Sequence, residues 1–159
     1  MNKYIKTLLC LSLVFATTML TSCLKKGLPE YPEWGGTNID NVYVEYRYNG
    51  PDQYGGQPVV VIKKLDVVKT LDEPNATLKL AITVPAVSGS FNAAERAKVV
   101  QNNLWLYMDI STAATIKPLA GTPKLGDPTN LTVPQQYEVT AADGSKKTWT
   151  IVVTSFNKP

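Results

Sequence analysis

Tyr137-Glu138-Val139-Thr140-Ala141-Ala142-Asp143-Gly144-Ser145-Lys146-Lys147-Thr148-Trp149-Thr150-Ile151-Val152-Val153 is the stretch on which the fold turns. Two strand-like runs, 137–140 and 148–153, flank a polar segment carrying an Asp-Gly pair. Such a pair accepts the left-handed backbone that tight hairpin turns demand. The stretch reads as a β-hairpin. Trp149, Ile151 and Val153 fall on one face of its second strand, so that face belongs to the core.

Working upstream, the same two-residue period recurs. Leu104, Leu106, Met108 and Ile110 alternate with Trp105, Tyr107 and Asp109, and Leu78, Leu80, Ile82 and Val84 alternate with Lys79, Ala81 and Thr83. Val42, Val44, Tyr46 and Tyr48 alternate with Tyr43, Glu45 and Arg47, giving one buried face and one wet one. Residues 58–69 are rich in β-branched side chains and form one bent strand or two, with Lys63-Lys64 at the break. The sole helix candidate spans 91–102, with Ser90 or Asn92 as its N-cap. Pro118, Pro123, Pro128 and Pro134 then punctuate a loop-rich passage with room for one short strand at 115–119. About six to eight short strands, one short helix and no βαβ alternation predict an all-β fold, an antiparallel immunoglobulin-like sandwich of Greek-key type.

The N-terminus has a different character. Lys3 and Lys6 precede an apolar run over 7–20, the length of a secretory h-region and too short to span a bilayer. The run ends in Leu20-Thr21-Ser22-Cys23, which resembles the lipobox of bacterial lipoproteins. That resemblance implies cleavage before Cys23 and acylation of both its thiol and its new amine, hence stable membrane anchoring by more than one chain. The expected organisation is therefore a signal peptide over 1–22, a lipidated tether over 23–37 rich in Gly and Pro, and a β-sandwich domain over 38–159. Leu24 after the cysteine, where the familiar sorting rule reads aspartate as retention, implies the outer membrane. The segment Leu24-Lys25-Lys26-Gly27-Leu28-Pro29-Glu30 lacks the acidic cluster associated with surface export, so the face of that membrane is left open.

Composition excludes much chemistry. The 159 residues contain no histidine, which removes Ser-His-Asp and Cys-His catalysis and imidazole metal sites. Of the two cysteines, Cys10 leaves with the signal peptide and Cys23 carries lipid, so no thiol remains for a disulfide, a nucleophile or a metal. Cleavage also removes Lys3 and Lys6, bringing the formal net charge from +3 to +1 and leaving no basic patch for nucleic acid. A glycosidase needs two carboxylates about 5 to 10 Å apart. Glu45 and Asp109 lie on expected strands without anything to pair them, and Asp127, Asp143 and Asp72-Glu73 read as turn formers. The expectation is a non-enzyme without cofactor or metal.

The segment from Ala113-Ala114-Thr115-Ile116-Lys117-Pro118-Leu119, through Gly121, Pro123, Leu125-Gly126, Pro128 and Pro134, to the hairpin resembles small Bacteroidetes lipoproteins with immunoglobulin-like or cadherin-like β-domains. Genes of that family often lie with outer-membrane glycan-uptake systems. The resemblance implies a glycan-binding or accessory module, with a polysaccharide or an uptake complex as partner. The alternative is a lipoprotein that docks on an outer-membrane protein without binding sugar. Sugar capture requires aromatic faces beside amides and carboxylates. Trp105, Tyr107 and Asp109, spaced by two on one strand face, are the first candidates, with Trp34 and Tyr54, grouped with Tyr31, the second.

Overall fold

The computed structural model describes residues 32–119 and 121–159. The expected signal peptide, Cys23, and the tether as far as Tyr31 lie outside the described residues. Among those described, nine strands and one short helix follow in the order β1 (Ile39–Tyr54), β2 (Gln57–Lys64), β3 (Asp66–Asp72), β4 (Thr77–Thr83), α1 (Ala93–Lys98), β5 (Leu104–Ile110), β6 (Thr115–Pro118), β7 (Pro128–Thr129), β8 (Gln135–Thr140) and β9 (Lys146–Asn157). They form two sheets, β2-β1-β5-β7 and β3-β4-β9-β8-β6, packed as a sandwich.

The alternating pattern sets which face of each strand is buried. Val42, Val44, Tyr46 and Tyr48 of β1 and Leu104 and Leu106 of β5 turn inward from the first sheet. Leu78, Leu80 and Ile82 of β4, Tyr137 and Val139 of β8, and Trp149 and Ile151 of β9 meet them from the second. Burial of each such side chain stabilises the fold by roughly 1.5–3 kcal/mol, which lets the core hold without a staple. The 137–153 hairpin forms as read, β8 pairing antiparallel with β9 from Thr140↔Lys146 to Gln135↔Ile151.

Pairing is antiparallel throughout except between β4 and β9, which run parallel with Leu78 opposite Ile151. The hairpin fixes the direction of β9 against β8, and β4, distant in sequence, then meets its free edge in the same direction. Residues 58–69 resolve into two strands in different sheets. The crossing is made at Leu65, whose buried side chain and N–H, bonded to the Val44 carbonyl at 2.9 Å, pin the corner.

The helix is shorter than 91–102. Asn92 Oδ1 accepts the Glu95 N–H at 3.0 Å as N-cap, and the helix stops where Val99 turns extended and buries itself. Phe91 also leaves the helical pattern to pack on Tyr46 and Tyr48, bridging back to Ser88. Core burial of Phe91 and Val99 thus overrides helical propensity at both ends. Pro128–Thr129 adds a two-residue strand beside β5 in the proline-punctuated passage, a strand the sequence pattern gives no room for.

β1 and β2 continue past the end of β5 as a two-stranded ribbon, turning at Gly55-Gly56. Both glycines have positive φ, the conformation a two-residue hairpin loop with right-handed twist requires.

Candidate functional site

The first sheet buries one face against the second sheet, and among the described residues no further sheet covers its other face. That outer face is assembled by register: Asn41 of β1 stands opposite Asp109 of β5, Tyr43 opposite Tyr107, and Glu45 opposite Trp105. Glu45 also stands opposite Lys64, and Arg47 opposite Ile62, on β2. The Trp105, Tyr107 and Asp109 row therefore meets a second row, Asn41, Tyr43, Glu45 and Arg47, that strand pairing alone brings beside it.

Two hydrogen-bonded groups organise the face. At one end the Tyr43 hydroxyl donates to Asp109 Oδ2 at 2.6 Å and Asn41 Nδ2 donates to the same oxygen at 3.1 Å. These two bonds, that from Tyr43 foremost, hold the Asp109 carboxyl below the usual carboxylate range, and the same bond raises the Tyr43 phenol above its ordinary value. In the middle, Arg47 Nη2 donates to the Tyr107 hydroxyl and pairs with Glu45 Oε2 at 3.2 Å. Its guanidinium carbon lies 5.4 Å from the Trp105 ring centroid and 5.6 Å from that of Tyr107, within cation–π range of both. Trp105 and Tyr107 are half-buried under this arrangement, while Tyr43 is 40% exposed.

The passage after β6 supports the edge of the site. Tyr137 donates its hydroxyl to the Pro123 carbonyl at 3.0 Å, and the Gly126 N–H bonds the Leu106 carbonyl at 3.1 Å. Gly126 has φ +85°, and a Cβ there would stand 3.2 Å from the Tyr107 hydroxyl. Only glycine lets the backbone pass this close to the Tyr107 ring.

The structure brings Trp105, Tyr107 and Asp109 together and separates Trp34 from Tyr54. Trp34, 63% exposed, precedes β1; its carbonyl accepts the Ala142 N–H at 3.1 Å. Tyr54, 85% exposed, is at the opposite end of β1, whose 16 residues extend about 50 Å at about 3.3 Å each. The grouping of those two aromatics is thus corrected: a continuous strand keeps them apart. Tyr31 lies outside the described residues. The segment before Asn38 is also tied to the sandwich, since Trp149 Nε1 donates to the Thr37 carbonyl at 2.8 Å and Ser145 Oγ lies 3.5 Å from the Gly35 carbonyl.

The residues that sequence reasoning passed over are Tyr43, Arg47 and Asn41. Tyr43 and Arg47 were legible as the wet face of β1, but their partnership with Trp105 and Asp109 follows only from the β1–β5 register. Glu45 and Asp109 sit two cross-strand rows apart, about 13 Å along the strands, wider than the spacing of a glycosidase pair. Among the described residues no group of three or more acidic or cysteine side chains is placed to hold a metal ion, and no helix is long and apolar enough to cross a membrane.

A family model described as DUF5018-related matches residues 39–152, the span from β1 into β9 that builds the whole outer face. The crystal structure of a candidate secreted protein from Bacteroides fragilis NCTC 9343 is similar, with a TM-score of 0.72 and 38% sequence identity, covering 79% of this chain and 99% of that one. No curated protein matches.

Proposed function

We propose that this chain, which belongs to the DUF5018-related family, is a non-catalytic cell-envelope protein that captures glycan on the outer face of its four-stranded sheet. In this reading Cys23 carries the lipid and holds the domain at the outer membrane, as a binding or accessory module of a polysaccharide-uptake system. The observation that carries it is the outer face itself. Three aromatic side chains, Tyr43, Trp105 and Tyr107, lie in adjacent cross-strand positions among an amide, two carboxylates and a guanidinium fixed by mutual hydrogen bonds. Sugar rings offer apolar C–H faces to aromatics and hydroxyl edges to such polar groups, and preorganised groups bind with less ordering cost. Export toward the envelope is supported by the secretory h-region and lipobox-like segment, and by the similarity to a candidate secreted protein.

Affinity electrophoresis of the full-length chain, purified in detergent, through gels containing individual polysaccharides tests this. Retardation by at least one glycan is expected, and Trp105→Ala, folded by circular dichroism, should abolish it. Unretarded migration in every gel overturns the reading.

A second reading is favoured by the β2 edge. From Gln57 to Ile62 this strand carries no charge, and Val59, Val60 and Ile62 are exposed beside an edge that no strand among the described residues covers. Uncharged exposed edges template strand addition. Docking on an outer-membrane protein through β2, without sugar binding, predicts a co-purifying partner that Val60→Lys releases and a wild-type chain that no glycan retards.

A further inference from the structure

The glycan-capture reading leaves the class of sugar open, and the hydrogen-bond inventory of the Asp109 end narrows it. Resting on that reading, we infer that the face selects hydroxyl-rich glycans without anionic groups, with Asp109, Asn41 and Tyr43 as the subsite that reads sugar hydroxyls.

The Tyr43 hydroxyl spends its only proton on Asp109 Oδ2, and Asn41 spends one of its two amide protons there too. What remains to a ligand is mostly acceptor capacity. Asp109 Oδ1 has no partner among the described residues, Asn41 keeps its amide oxygen, and the Tyr43 oxygen keeps its lone pairs. A ligand for this cluster must therefore bring protons. Sugar hydroxyls do so; sulfate, phosphate and uronate groups carry none and meet the Asp109 carboxylate as like charge. Two hydrogen bonds on one oxygen fix the carboxylate plane, so Oδ1 is aimed before a ligand arrives. Tyr43, the most exposed aromatic of the face, stands directly beside Asp109 and opposite Tyr107, placing a stacking surface next to the acceptors.

Charge along the rest of the face points the same way. Asp109 lies at one end, the Arg47–Glu45 pair in the middle, and Lys64 beyond it on β2. Glu45 already neutralises Arg47, so a polyanion lying along these rows meets Asp109 with only Lys64 to offset it. A chain without anionic groups meets no such repulsion and still brings hydroxyl protons.

The test uses the full-length chain in detergent against two sets of soluble polysaccharides: neutral (dextran, mannan, xylan, arabinogalactan) and acidic (polygalacturonate, chondroitin sulfate, heparin). Dissociation constants come from titration calorimetry at one ionic strength. At least one neutral glycan should bind, each acidic polymer should bind at least tenfold more weakly, and Asp109→Asn should weaken neutral binding about tenfold, the usual loss for a charge-assisted hydrogen bond. Asn41→Ala, which unlocks the carboxylate without removing it, should cause a smaller loss of the same sign. A preference for an acidic polymer, or an Asp109→Asn variant that binds as wild type while Trp105→Ala does not bind, overturns the inference and leaves glycan capture standing. No binding to any polymer overturns both.

Discussion

Replacing Trp149 by Phe probes how the segment that leads from the N-terminus is joined to the sandwich. Trp149 is 1% exposed, packs within the core from β9, and spends its indole N–H on the Thr37 carbonyl at 2.8 Å. Phenylalanine keeps a ring but removes on the order of 40 Å² of buried surface, about 1 kcal/mol at about 25 cal/mol per Å². The unfilled pocket adds about 0.5–1 kcal/mol, and the lost hydrogen bond another 0.5–1 kcal/mol or so, toward the low end because half-buried Thr37 is open to water. The expected cost is about 2–3 kcal/mol. It is read from urea denaturation followed by far-ultraviolet circular dichroism, which avoids the fluorescence of the replaced residue, and should appear as a shifted midpoint at constant slope. Hydrogen exchange gives the local signature: the Ala142 amide, bonded to the Trp34 carbonyl at 3.1 Å, should lose more protection than amides of β4. A loss below about 0.5 kcal/mol, or an Ala142 amide as protected as in wild type, refutes the claim that Trp149 fastens the 34–37 segment.

Two further predictions concern the support of the site and its pH limits. Gly126→Ala forces a Cβ to within 3.2 Å of the Tyr107 hydroxyl at a φ of +85°, and should cost about 1–2 kcal/mol in urea denaturation while weakening glycan binding. Burial, reinforced by the charge of Asp127, lifts the Tyr137 phenol from 10.0 to about 12. A folded value above the unfolded one contributes stability that is fully present below pH 10 and is lost as pH rises toward 12. Urea midpoints of wild type should therefore fall more steeply between pH 10 and 11.5 than those of Tyr137→Phe, which at pH 7.5 is less stable by about 1 kcal/mol for its lost bond to the Pro123 carbonyl.

Local pattern carried the strand assignments because a strand with one buried face writes its burial into every second residue. Val42 to Tyr48, Leu78 to Ile82 and Leu104 to Leu106 could be read this way, as could the Asp143-Gly144 hairpin and the core position of Trp149. Where a side chain served the core against its local propensity, the pattern misled. Phe91 and Val99 shorten the helix from both ends, because their burial between the sheets outweighs the helical preference of the alanines and charged residues between them.

The candidate site divides along the same line. That Trp105, Tyr107 and Asp109 share a face follows from their spacing alone, since successive residues of a strand point to opposite sides. That Tyr43 and Asn41 fix the Asp109 carboxylate, that Arg47 lies over Trp105 and Tyr107, and that Tyr54 stands far from Trp34 depend on which strands pair and in what register. Register is decided by the simultaneous burial of two sheets' inner faces, a property of contacts between residues some sixty positions apart in the chain, such as Val44 and Leu106. The sequence by itself therefore determined that the chain is a β-sandwich and that Trp105, Tyr107 and Asp109 share one strand face. Only the tertiary structure decided which polar groups stand beside those aromatics, because hydrogen-bond partners are chosen by strand pairing and not by neighbours along the chain.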